Sequence, residues 1–202
     1  MTGYYPNRFA HRLILAMRAE LGEFSTETLL EQAGLDAGLP DESLERTYPF
    51  AHLAALNRAL FATYGDQGAK GLALTIGRAW FNPRMANFGA FAAFTDPAFQ
   101  QLPIDTRTTI ALQVLAGVFT RLSDQVVQVE TAADIPHMTV ENSPFVYDGA
   151  QMTVCYLFTG LIQGCLTAAT GQAVPAVTEV ECRAAGAPCC RFAVGRVAHA
   201  KR

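Results

Sequence analysis

The first 154 residues of this chain contain no cysteine, and charge is scarce along its whole length. Asp, Glu, Lys and Arg make up only 16% of 202 residues, against 50% hydrophobic ones. Such a chain can fill a sizeable core and does not have the composition of a disordered segment. The few basic residues are scattered. With a net charge of −3 and a pI near 5.8, no clustered positive surface for nucleic acid is expected. No run of 18 or more uncharged apolar residues is present, and the most apolar stretch, 154–169, is too short and contains Gln163, so no membrane span is expected. The start, Met1-Thr2-Gly3-Tyr4-Tyr5-Pro6, has no basic segment leading into an apolar one, which points to a cytoplasmic protein.

Signs of catalysis are missing too. No glycine-rich dinucleotide fingerprint follows a strand, since Gly160 to Gly164 falls inside a helical pattern. Ser123-Asp124-Gln125 reads as a helix end and a turn, not a triad. His11, His52 and His137 each stand without a haem-ligating motif. The chain is therefore expected not to be an enzyme.

What is present reads as one domain, 1–202, with a helical half over 1–122 and a second half over 123–196. Phe9, Leu13, Met17 and Leu21 form a helical stripe over Arg8–Leu21 that stops at Gly22. Ser25 is placed to cap a short helix to Ala33, closed by Gly34. Tyr48-Pro49 should start a helix running to Tyr64 and ending at Gly65. The aromatic, glycine-rich stretch from Gly68 to Phe94 should hold helices broken near Asn82-Pro83. Asp105 is placed to cap a long helix, Thr106–Leu122.

The period then changes. Gln125–Thr131 and His137–Glu141 read as strands with a turn near Ala133–Pro136, and Met152–Thr170 reads as a helix stopped by Gly171. Val174–Cys182 and Cys190–Val194 read as a final hairpin turning through Gly186-Ala187-Pro188. Helices first and strands later imply an α+β fold with an antiparallel sheet of four or five strands. The helices Arg8–Leu21 and Thr106–Leu122 are expected to pack on that sheet.

All five cysteines lie between Cys155 and Cys190. An odd count, clustered in a large chain without an export signal, suits reduced thiols better than a disulfide framework. Tetrahedral zinc needs about four ligands from two or more chain elements. The final hairpin brings Cys182 close to Cys189 or Cys190, the helix start offers Cys155, and Glu179 or Glu181 offers a carboxylate. Adjacent strand residues face opposite sides, so only one of Cys189 and Cys190 is expected to ligate. The same rule puts Glu179 and Cys182 on opposite faces of an ideal strand, so a bulge or turn must bring them together. The bland alternative is a set of buried thiols acting as small hydrophobes, the role expected of Cys165.

The spacing Cys155 with Gly160, then Glu179-x2-Cys182-x7-Cys190, resembles the 4-vinyl reductase domain family of small-molecule and hydrocarbon-binding domains. Within it, the pattern is similar to the sensor domain of phenol-responsive bacterial regulators. The resemblance covers about 125–194, with one extra residue between Gly160 and Glu179. It implies Cys155, Glu179, Cys182 and Cys190 as ligands of a structural Zn2+, and a ligand-binding fold shared with vesicle-tethering subunits. It also implies a homodimer, a cavity for an apolar or aromatic small molecule, and output through a separate effector protein. Trp80, Phe81, Phe88, Phe119, Tyr147, Tyr156 and Phe158 are the candidate pocket lining, and Arg78, Arg84 or His137 could orient a carboxylate or carbonyl. Phenol itself is not carried over, because the only Trp, Trp80, lies too early to match the His and Trp of the phenol sensors. The expected function is a small-molecule-binding sensor or carrier domain. The alternative is an enzyme, accessory subunit or carrier in tetrapyrrole (bacteriochlorophyll) metabolism.

Overall fold

The computed structural model describes residues 2–81, 89–132, 135–171 and 176–195. The chain opens with a short strand β1 (Tyr4–Pro6), followed by helices α1 (Asn7–Leu21) and α2 (Glu23–Gln32). Strand β2 (Arg46–Pro49) pairs antiparallel with β1 and leads into the long helix α3 (Phe50–Trp80). A 3-10 segment (Gly89–Thr95), a short helix α4 (Pro97–Gln100) and helix α5 (Ile104–Leu122) complete the helical half. Then come β3 (Val127–Ala132), β4 (Ile135–Val140), helix α6 (Tyr156–Thr170), β5 (Val177–Glu181) and β6 (Cys190–Val194). The last four strands form one antiparallel sheet in the order β3-β4-β6-β5.

Two glycines set the corners of the helical half. Gly22 joins α1 to α2 with φ 82° and ψ 163°, and Gly65 breaks α3 with φ 66° and ψ 171°. Only glycine visits that region without strain, so each helix turns a corner over a single residue. The expected stop at Gly65 is therefore present, but a second helical segment starts at once and runs to Trp80. Gly68 to Trp80 is thus one uninterrupted helix, while the expected break at Asn82-Pro83 lies outside the described residues.

Several expected boundaries are corrected by capping. Ser25 lies inside α2, whose N-cap is Gly22. Asp105 lies in the first turn of α5, whose N-cap is Pro103, and it serves there as an anion near the positive helix end. Helix α6 begins at Tyr156 with Cys155 as N-cap, not at Met152, and stops at Gly171 in the left-handed conformation as expected. Ile135 and Pro136 belong to β4 rather than to a turn. Ala133, Asp134 and the start of the expected Val174 strand lie outside the described residues.

Helix α6 is buried on nearly every side, which suits its almost uniformly apolar sequence. It lies between α3, α5 and strand β5, while α5 also covers β3. The expectation for α1 is corrected: it packs on α2 and α3, and α5 and α6 are the helices laid on the sheet. The second half of α3 crosses α6 with the backbones in contact. A Cβ on Gly77 would sit 2.2 Å from the Leu157 carbonyl oxygen, and one on Gly160 would sit 2.3 Å from that of Leu74. No described helix is long and apolar enough to cross a membrane.

Candidate metal centre

Four buried side chains meet where the start of α6 abuts the β5–β6 hairpin. One ligand atom each from Cys155, Glu179, Cys182 and Cys190 lies within 4.8 Å of all the others. Cys155 arrives as the N-cap of α6, Glu179 from β5, Cys182 from the residue after β5, and Cys190 from the first residue of β6. The strand-parity obstacle is removed by an irregularity in β5: Glu179 pairs with Phe192 but Glu181 pairs with Arg191, so two residues oppose one. That bulge puts Glu179 and Cys182 on the same inner side while Val180 is half-exposed. It also separates the two candidate carboxylates. Glu181 faces outward and pairs with Arg191 at 3.2 Å, and Glu179 is buried in the cluster. Cys189 is only half-buried and lies outside the cluster, whereas Cys190 is fully buried within it.

The distances suit a tetrahedral ion. Cys155 Sγ is 3.6 Å from Cys190 Sγ, which is 3.9 Å from Cys182 Sγ. Sulfurs at about 2.3 Å from zinc stand about 3.8 Å apart at the corners of a tetrahedron. All five cysteines are free thiols. Glu179 Oε2 accepts the backbone N–H of Cys155 at 3.0 Å, while Oε1 is buried with no partner. A buried carboxylate oxygen with nothing to bind is what a cation would satisfy. Neighbouring donors also approach the sulfurs: Ser143 Oγ lies 3.2 Å from Cys155 Sγ, and the Arg183 N–H donates to Cys190 Sγ at 3.5 Å.

Without a cation the four groups strain against one another. Burial, helped by the Cys182 charge, pushes the Glu179 carboxyl up to about 8. Burial likewise raises the Cys155 thiol well above its ordinary value. Hydrogen bonds from Cys155 and Cys190 hold Cys182 below the usual thiol range, which makes it the one sulfur ready to ionise. Such a set can bind a soft divalent cation by giving up protons, and it offers no open position for a substrate.

The aromatic pocket candidates occupy three places. Trp80, Phe119 and Phe158 are fully buried in one ring cluster, with Trp80 to Phe119 at 6.0 Å, Phe119 to Phe158 at 5.5 Å, and Phe192 5.4 Å beyond Phe158. The Trp80 indole N–H donates to the Phe9 carbonyl at 3.0 Å. Phe81 belongs to a second cluster with Phe91 and Phe94. Tyr147 and Tyr156 flank Phe61 at 6.1 and 6.3 Å, with the Lys70 ammonium 5.1 Å from the Tyr156 ring centre. Phe88 and Arg84 lie outside the described residues. Arg78 donates to Gln163 Oε1 at 3.0 Å, and His137 Nδ1 lies 2.9 Å from the Ile135 carbonyl.

Sequence reasoning missed the polar groups around these clusters. Tyr5 donates to Gln125 Oε1 at 2.5 Å inside the first ring cluster, and Asn57 is fully buried on the apolar face of α3. The available signal for Asn57 was a lone amide interrupting Leu53, Leu56 and Leu60.

Helices over a four-stranded antiparallel sheet, with a cysteine and carboxylate cluster at their junction, define an α+β ligand-binding-type domain rather than a cofactor-binding α/β enzyme. The chain belongs to the 4-vinyl reductase domain family, whose model matches residues 136–196. The fold is also that of H-NOX proteins. It is similar to the H-NOX protein from S. oneidensis in the Fe(II)NO state, at 13% identity and a TM-score of 0.61, over 94% of this chain and 98% of that one. The Fe(II) unliganded H-NOX protein from K. algicida is likewise similar, at 13% identity and a TM-score of 0.62, over 98% of this chain and 99% of that one. The phenol-responsive sensory domain of the transcription activator PoxR, solved with phenol, aligns at 23% identity and a TM-score of 0.49, over 74% of this chain and 76% of that one. No curated protein matches the chain.

Proposed function

We propose that this chain is a small-molecule-binding sensor or carrier domain for an apolar or aromatic ligand, stabilised by a structural zinc ion on Cys155, Glu179, Cys182 and Cys190. The observation that carries the metal reading is the convergence of those four ligand atoms within 4.8 Å, all from buried residues. Three thiols and a carboxylate suit zinc, which would supply a closed cross-link there. The chain's own residues do the rest. Cys182 ionises first, the Cys155 N–H orients the Glu179 carboxylate, and Ser143 and the Arg183 N–H solvate the sulfurs.

The family match over 136–196 supports the ligand-binding part of this reading. H-NOX proteins of the same fold hold iron that takes nitric oxide, so the architecture can house a small guest. Trp80, Phe81, Phe119, Phe158, Tyr147 and Tyr156 are the proposed lining of the ligand space, which the ligand would enter by separating rings now packed together. The protein acts in the cytoplasm as a homodimer and passes its signal to a separate effector. Native mass spectrometry of protein purified from its own host tests the proposal. A retained apolar small molecule together with one zinc per chain is expected. Protein that carries no such guest and takes none up in titration would sink the ligand reading. Wild-type metal content in Cys182→Ser would sink the metal reading.

A further inference from the structure

Asparagine is a poor helix-interior residue and costly to bury without partners. Asn57 nevertheless lies within α3, fully buried among Leu53, Leu56 and Leu60. Its side-chain amide donates to the backbone carbonyls of Phe145 at 2.7 Å and Val154 at 3.0 Å. Two carbonyl acceptors fix which end of the amide faces them, because only its NH2 group can donate. Oδ1 has no partner, so the side chain is placed for what it donates.

The Val154 carbonyl belongs to the peptide bond that joins Val154 to Cys155. The N–H of that same bond donates to Glu179 Oε2 at 3.0 Å. In a trans peptide the C=O and N–H point in opposite directions. Asn57 and Glu179 therefore hold one peptide plane from its two ends. In a poorly polarisable interior, donation to the carbonyl makes the N–H of the same unit a stronger donor. The carboxylate is thereby fixed through Oε2, and Oε1 is left free of other partners. Phe145 and Val154 also bound the loop 145–154, so the same amide closes the neck of the loop that ends at Cys155.

We infer that Asn57 is a positioning residue of the metal centre, fixing the Val154–Cys155 peptide and through it the Glu179 carboxylate and the Cys155 sulfur. The inference rests on the metal reading given above. It makes helix 50–64, which supplies no ligand of its own, part of the outer shell of the site.

The test uses the full chain stripped of metal and reloaded, with zinc affinity read by competition with a chromophoric chelator. Cobalt(II) substitution reports ligand geometry through its thiolate charge-transfer bands. Asn57→Leu keeps the volume and removes the donors, and Asn57→Ser decides the question where Asn57→Leu does not fold. Leu53→Ala, a buried change on the same helix, controls for lost stability alone. The expected result is zinc affinity about 10- to 100-fold weaker in the Asn57 variants, with altered cobalt bands and wild-type affinity in Leu53→Ala. Folded Asn57 variants with wild-type affinity and bands would overturn the assignment, as would an equal loss in Leu53→Ala. A wild-type chain that binds no zinc would instead overturn the metal reading itself.

Discussion

Gly77 and Gly160 touch backbone to backbone where α3 crosses α6. A Cβ on either would come within 2.9 Å of the other's Cα, and closer still to a carbonyl oxygen. Neither neighbour is a flexible side-chain tip that could swing away, so the helices themselves must separate. Gly160→Ala should cost about 3 kcal/mol or more by overpacking, read as a lower urea midpoint at constant slope. Gly117, on α5, has open space around its Cβ position. Gly117→Ala should stabilise by about 0.5 to 1 kcal/mol. Equal effects of the two changes would show that the crossing is looser than the contact implies.

Cys189 and Cys190 are neighbours in sequence with opposite fates. Cys190→Ser should abolish stoichiometric zinc binding, and Cys189→Ser should leave it intact, as measured by elemental analysis after gel filtration. The β5 bulge gives the same split to the acidic pair: Glu179→Gln should weaken metal binding, while Glu181→Gln should leave it unchanged. Metal loss in the Cys189 or Glu181 variants would place the wrong residues in the site.

The pH dependence follows from burial. Glu179 in the metal-free fold is pushed up to about 8 from its ordinary 4.5, so folding favours its protonated form. A raised acid contributes stability that is complete below about 4.5 and is lost as pH rises through about 8. Metal-free protein should therefore show a falling urea midpoint between pH 5 and 8, and Glu179→Gln should flatten that fall. Zinc binding must expel protons from Glu179 and Cys155, so affinity should rise with pH over the same range. Proton release on mixing with zinc in weak buffer at pH 7 checks this directly. Release of no protons would mean the groups were already ionised.

Gly65 holds a backbone conformation that a side chain tolerates poorly. Gly65→Ala should cost about 1 to 3 kcal/mol although nothing lies within 4 Å of its Cβ position. Thermal unfolding compared with the helical Gly71→Ala, which also has open space, separates backbone strain from crowding. An unchanged midpoint in Gly65→Ala would show that the corner relaxes without cost.

Much of the fold can be read from local signals. Phe9, Leu13 and Met17 mark α1, Gly171 marks the end of α6, and Cys190–Val194 is legible as a strand to the residue. The errors arise where tertiary structure replaces a local cap. Ser25 and Asp105 look like N-caps, yet the helices start earlier at Gly22 and Pro103, whose backbone geometry turns the chain without a side-chain bond. The β1–β2 pair is invisible because strands of three and four residues separated by two helices carry no period. Which neighbour α1 packs against depends on the Gly65 corner, and nothing in the α1 sequence encodes that corner. The four cluster residues can be named from spacing, but the choice between Glu179 and Glu181 needs the bulge, which adds one residue and shows no signature in Val177–Glu181.

The corner at Gly65 gives the centre an unexpected dependence. The segment before it clasps the Val154 carbonyl through Asn57, and the segment after it presses Gly77 onto the Leu157 carbonyl. Cys155 is therefore bracketed on both sides by a single helix bent in the middle. Any change in the angle of that elbow would reach the sulfur as displacement, which ties the coordination sphere to how the helical half is folded.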